Sequence, residues 1–307
     1  MCFRGFPRAV VPMLLFAVSC GGEVQATRAR EAAADSLLLP APADSSLHDD
    51  PLSRSIRRGR ALVVATRDSL PASVRSRLRC VSCHLDNGRR AFAMPWVGAY
   101  GRFPQYRARS GQVARLEERI NDCFERSLNG RAIATEGDDM RDIMSYISWL
   151  SRGSVSGKRG WGAGIDSLTP LRGDSTRGRM VYVQHCARCH APDGQGMLGA
   201  PIVNAGPPLW GPESFNIGAG MARVRVMAAF VHRHMPFDRP GTTTPQDAFD
   251  VAAFVTSRPR PDFARKEFDW PNGDPPADVA YPTRAARGAT PGGLPQGRPS
   301  GPTGRRD

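Results

Sequence analysis

The sequence predicts an all-α fold of two similar helical domains, and three observations carry that prediction. The motif C-x-x-C-H occurs twice, as "CVSCH" at 80–84 and "CARCH" at 186–190. Related segments, "RRGRALVV" at 57–64 and "TRGRMVYV" at 176–183, run ahead of the two motifs. An amphipathic helix closes each unit: Met140, Ile143, Met144, Ile147 and Leu150 recur at three- and four-residue steps, and so do Ala248, Val251, Ala252 and Val255. The second of these helices follows "TTTPQD", which supplies capping side chains and a proline at the helix start.

Taken in chain order, residues 1–20 have the layout of a secretory signal. Arg4 and Arg8 give a basic start, Val10 to Val18 a short apolar run, and small residues lead to Cys20. The run is too short to span a bilayer. Cys20, between Ala17-Val18-Ser19 and Gly21-Gly22, resembles the acylated cysteine of a lipoprotein lipobox; the other reading is a cleaved signal with an incidental cysteine. Both readings predict a periplasmic chain, with membrane contact only through a lipid anchor at Cys20. Residues 21–51, rich in Ala, Ser, Asp and Pro, are expected to form a flexible tether. The first domain is expected over 52–150 and the second over 173–260, joined by a Gly- and Ser-rich linker at 151–172 in which Trp161 argues for partial packing. Residues 261–307, rich in Pro and Gly, are expected to form a disordered tail.

Each C-x-x-C-H motif offers two thiols on one side of a helical turn, close enough to add across the two vinyl groups of one haem, with the adjacent histidine reaching the iron. Composition alone yields such a motif about 0.003 times per chain of this kind, so two of them are a strong signal. A redox disulfide or a zinc site built from the same cysteines fits poorly with two copies that each end in histidine in an exported chain. The expectation is therefore two covalently bound haem c groups in two cytochrome c-like domains, held by Cys80, Cys83 and His84 and by Cys186, Cys189 and His190.

The formal charge of +13 comes almost wholly from arginines spread along the chain, without a dense cluster or interleaved aromatic residues. That distribution argues against nucleic acid and favours anionic small molecules or an acidic protein partner.

Of seven cysteines, Cys2 and Cys20 lie in or beside the signal and four belong to the motifs, which leaves Cys123. A haem that only passes electrons usually has histidine and methionine as axial ligands. For the second haem, Met235, followed by Pro236, is the leading candidate over Met197, Met221 and Met227, with His234 as an alternate. For the first haem the candidates are Met140, at the head of the closing helix, and Cys123, whose thiolate would stabilise ferric iron and lower the potential. Written as a helix, Arg119, Cys123 and Ser127 share one face, where a guanidinium and a hydroxyl beside a thiol would depress its pKa and hold an oxyanion.

From about Ser53 to Pro261 the chain resembles the bacterial dihaem thiosulfate dehydrogenases. The resemblance rests on "CVSCH", "RLEERINDCFERSLNG", "CARCHAPDGQG", "PPLWGPESFNIGAGM", "HMP" and "DVAAFVTSRPRP", in that order. It implies oxidative coupling of two thiosulfates to tetrathionate, or the reverse, at a first haem ligated by His84 and Cys123. It also implies substrate contacts from Arg109, Arg119 and Ser127, and a second haem, on His190 and Met235, relaying electrons to a soluble or membrane acceptor such as a small cytochrome c. His234 stands where relatives often carry Lys or Asn, which leaves the ligand of the second haem open between Met235 and His234. Two rival readings are a dihaem electron carrier without chemistry of its own, ligated through Met140 and Met235, and a related sulfur-oxidation cytochrome with a cysteine-ligated haem.

Overall fold

The computed structural model describes residues 37–197 and 206–285. The signal segment with Cys20, the tether up to residue 36 and the tail from residue 286 lie outside the described residues. Helices of seven or more residues among those described are α1 (Pro51–Val64), α2 (Leu116–Asp122), α3 (Asp138–Leu150), α4 (Ser175–Val181), α5 (Val224–His234) and α6 (Pro245–Thr256). A small antiparallel hairpin, β1 (Gln105–Arg107) and β2 (Gln112–Ala114), pairs Tyr106 with Val113 just ahead of α2.

Local chemistry explains the helix starts. Asp50 caps α1 by accepting from the Ser53 amide at 2.9 Å, and Pro51 fills the first position, where no amide donor is needed. Thr244 and Pro245 open α6 in the same way. One stripe of α1, Ile56, Gly59, Leu62 and Val63, is buried against the stripe of α3 that carries Met140, Ile143, Tyr146, Ile147 and Leu150.

The repeated R-G pair marks the place where these helices cross. A Cβ on Gly59 would lie 1.9 Å from the Asp142 carbonyl oxygen, and a Cβ on Gly178 would lie 1.9 Å from that of Asp250, so only hydrogen fits at either contact. The preceding arginine fixes the same crossing through charge: Arg58 pairs with Asp142, and Arg177 Nε with Asp250 at 2.8 Å. Four residues past each motif histidine the duplication continues. Gly88 and Gly194, both at positive φ, leave room only for the rings of Trp96 and Trp210, which meet Tyr146 and Phe254 edge-on. The two domains are thus one helical cradle built twice.

Two expectations about the connecting segments are corrected. Residues 37–51 are not a free tether: Leu39 is buried and donates to the Arg89 carbonyl at 2.9 Å, while Arg57 holds the carbonyls of Leu47 and His48. The leucines of "SLLLP" supply the apolar surface that a tether lacks. Residues 261–285 are not a disordered tail: Phe263, Asp269, Trp270 and Tyr281 are all buried, since widely spaced aromatic residues suffice to anchor a chain that runs over a folded surface. The linker packs on the first domain through backbone bonds from Phe92 to Gly162 and from Met94 to Gly164, whereas Trp161 stays 64% exposed with only an edge on Phe92.

A single apolar cluster runs through both halves, from Ile56, Leu62 and Tyr146 to Trp210, Phe249 and Phe254. Polar contacts reinforce the junction. Arg77 pairs with Glu213 at 2.6 Å, and its amide donates to the Glu213 carbonyl at 2.8 Å.

Candidate active site

Helix α2 begins where Glu118 accepts from the Arg115 amide at 2.7 Å, and its α-helical ladder ends at Asp122. Residues Cys123–Ser127 form one π-helical turn, closed by the Leu128 amide on the Cys123 carbonyl at 2.9 Å. The expected plain helix is therefore interrupted at the cysteine itself, a local widening that is common where a helix carries a functional group. Arg119, Cys123 and Ser127 nevertheless share one side of it, since all three line the same cavity.

That cavity encloses about 800 Å³ of space including its mouth, and Cys80, Cys83 and His84 line it together with Cys123. His84 donates from Nδ1 to the Met94 carbonyl at 2.7 Å and lies against the Trp96 ring at 4.8 Å, which leaves its Nε2 turned to the cavity. The His84 ring and the Cys123 sulfur are within hydrogen-bonding reach of each other, and Arg119 Nη1 donates to the same sulfur at 3.0 Å. Burial pushes the Cys123 thiol up, but the charge of Arg119 and the contact with His84 outweigh it and bring the group down to about 7. The motif thiols have no such support: burial drives Cys80 and Cys83 up to about 12.

These residues fit a covalently attached haem. Two neutral thiols and an oriented imidazole stand on one wall, while Val63, Leu78, Ile143 and Ile147 give an apolar lining. In the second domain His190 donates from Nδ1 to the Pro207 carbonyl at 2.8 Å, the same orienting bond as in the first. Gly206 packs so closely that a Cβ would lie 2.7 Å from that Nδ1.

The ligand candidates separate clearly in space. Met140 is fully buried in the helix core and does not line the first cavity, whereas Cys123 does. Met235 caps the end of α5 and packs against a cluster formed by Leu85 and Ala93 of the first domain and Phe230 of the second. His234 is 2% exposed, its ring held towards the Phe92 carbonyl and its Nε2 without a partner; burial pulls its pKa down to about 4. Met227 belongs to the core and Met197 to the surface. Met221, from the second domain, lines the first cavity and touches the Met235 cluster.

Arg109 stands apart from the expected group. It does not line the cavity; its guanidinium donates to the Gly218 carbonyl and covers the Trp270 ring at 4.7 Å, and burial lowers it to about 10. Arg107 was missed by sequence reasoning. It is half-buried and does not line the cavity, and its pKa is lowered by burial and by Arg119 against smaller opposing effects of Asp122 and Cys123, so its charge is felt at the thiol. The available signal was the R-x-R spacing of 107 and 109 in "YRARSG". Met94 and Trp96 also escaped, because their roles depend on contacts distant in sequence, and Met221 was weighed only for the second haem.

Comparison with known proteins agrees with this construction. Residues 72–155 match the family described as SoxA/TsdA, cytochrome c domain, and residues 173–255 match Cytochrome C oxidase, cbb3-type, subunit III. A thiosulfate dehydrogenase from Psychrobacter arcticus is 40% identical over 239 residues, 78% of this chain and 73% of the relative. One from Allochromatium vinosum is 44% identical over 241 residues, 77% of this chain and 87% of the relative. The solved structure of thiosulfate dehydrogenase (TsdBA) from Marichromatium purpuratum superposes with a TM-score of 0.70 at 38% identity, over 76% of this chain and 52% of that one. This chain thus spans about half the length of the protein in that structure. With a first cavity that fits a c-type haem, the same histidine-orienting bond in the second domain and relatives this similar over most of its length, the chain belongs to the thiosulfate dehydrogenase family and carries two covalently attached haems c.

Proposed function

We propose that this chain oxidises thiosulfate, joining two molecules into tetrathionate, and that Cys123, which together with His84 would hold the iron of the first haem, is the reacting thiol. The observation that carries the reading is the Cys123 sulfur, 3.0 Å from Arg119 and within hydrogen-bonding reach of His84, in the cavity that Cys80 and Cys83 also line. The carrier reading expected Met140 as that ligand, and Met140 is buried away from the cavity.

Thiosulfate is a dianion, and Arg119 and Arg107 supply the positive field that brings it to the thiolate. A bond forms between Sγ of Cys123 and the terminal sulfur of one thiosulfate, giving a cysteine S-thiosulfonate and releasing two electrons. The haems supply one-electron sinks for that pair, and an acceptor protein such as a small cytochrome c collects it. The terminal sulfur of a second thiosulfate then attacks the sulfur bonded to Sγ; that bond breaks, tetrathionate leaves and the thiolate returns. Charge balances in both steps. Ser127, on the same wall as Cys123, is placed to donate to a sulfonate oxygen, and Arg109 holds the Gly218 loop behind the site. The same residues serve tetrathionate reduction when electrons are supplied.

The signal-like N-terminus supports export to the periplasm, and Cys20 supports lipid attachment. No helix among the described residues is long and apolar enough to cross a membrane. Cys123→Met tests the core of this reading. The variant is expected to keep both haems, counted as the pyridine haemochrome, to lose the ferric thiolate signal in electron paramagnetic resonance, and to form no tetrathionate. Unchanged turnover would reject the catalytic role.

A further inference from the structure

The π-turn that carries Cys123 is held from outside its own domain. Arg126, inside the turn, makes two 2.8 Å bonds to the carboxylate of Asp269, which is 4% exposed and accepts a third bond from the Tyr281 hydroxyl at 2.7 Å. The Arg126 guanidinium is further sandwiched by the Phe263 ring at 4.2 Å. All three partners belong to the segment that composition assigns to a tail. From the second domain Asn216, 1% exposed, donates from Nδ2 to the Glu125 carbonyl at 2.8 Å, and its amide donates to the Arg126 carbonyl at 3.1 Å. A π-turn displaces backbone carbonyls from their usual partners, and these two are satisfied by Asn216.

We propose that Asp269, with Asn216, is a positioning residue that holds the Cys123 turn in its π form, and that residues 262–285 are a strap belonging to the reaction site. The proposal rests on the reading of Cys123 as the reacting thiol. Asp269 touches neither the cavity nor the thiol; it acts through Arg126. Its charge has a second effect. Arg119 and Arg126 each repel the Arg109 charge, and Asp269 offsets part of that positive field.

These two roles act on different kinetic constants. In the holoenzyme Asp269→Asn loosens the turn while leaving the field more positive. With thiosulfate as substrate and ferricyanide as acceptor, kcat is expected to fall about tenfold, as for a small misplacement of a reacting group, while KM falls as well. The ferric thiolate signal is expected to broaden or split, with the haem count unchanged, and Asp269→Glu should recover most of the kcat. Unchanged kcat, KM and signal would overturn the proposal, as would a loss of kcat without any change in the signal. Should Asp269→Asn not accumulate, Tyr281→Phe, which removes one of the three bonds, is read in the same way: an altered signal supports the strap and an unaltered one overturns it. Cys123→Met separates the two ideas. If that variant is active the strap falls with the thiol, whereas an inactive Cys123→Met beside an unaltered Asp269→Asn overturns the strap alone.

Discussion

Arg107 and Cys123 show how charge is arranged around a small buried anion. A thiol surrounded by apolar walls resists ionisation, and only the adjacent guanidinium of Arg119 and the imidazole of His84 reverse that preference. Arg107 adds field without touching the sulfur through any recorded bond, so its effect should fall on binding more than on chemistry. Replacing Arg107 by Gln is expected to raise KM for thiosulfate about fivefold and leave kcat within about twofold, with a weaker dependence of kcat/KM on ionic strength. Steady-state rates at two salt concentrations check this. The thiol and Arg119 were legible in the sequence because i, i+4 spacing survives the entry into the π-turn; Arg107 was not, because it lies on a hairpin strand outside that helix and its field reaches Cys123 only through the fold.

At the scale of the helices, the chain repeats one solution. Close crossing of α1 with α3 and of α4 with α6 demands a residue without a side chain, and each contact is locked by an arginine on the aspartate whose carbonyl the glycine meets. Gly178→Ala forces a methyl group against backbone that has no flexible end to yield, so a loss of about 3 kcal/mol is expected, read as a lower melting temperature. Gly59→Ala should cost a similar amount in the first domain, which makes each half a control for the other. The repeat itself was visible as "RRGR" and "TRGR", together with the closing helices, because period and motif are local properties. Its reason was not, since Gly59 and Asp142 are brought together only by folding.

Across the whole molecule the two cradles share one core and a polar seam. Arg77 with Glu213, and Asn216 with the turn of Cys123, join the halves where composition predicts only a linker between independent units. Heat should therefore unfold both together, with far-ultraviolet circular dichroism and the absorbance of the haems changing at one temperature; two separated transitions would contradict a shared core. The covalent motifs made the two-domain architecture readable from the start. Packing of the segment after Pro261 was hidden because its anchors are single aromatic residues among prolines and glycines, each with a partner far away in sequence, such as Trp270 on Arg109.

The position of Asp269 has a practical side. A chain trimmed where recognisable helix ends, shortly after Thr256, would keep every cysteine and histidine needed for colour and yet lack the carboxylate that braces the sulfur-bearing turn. Judged by its red absorbance alone, such a preparation would pass as whole while the part that matters had been cut away.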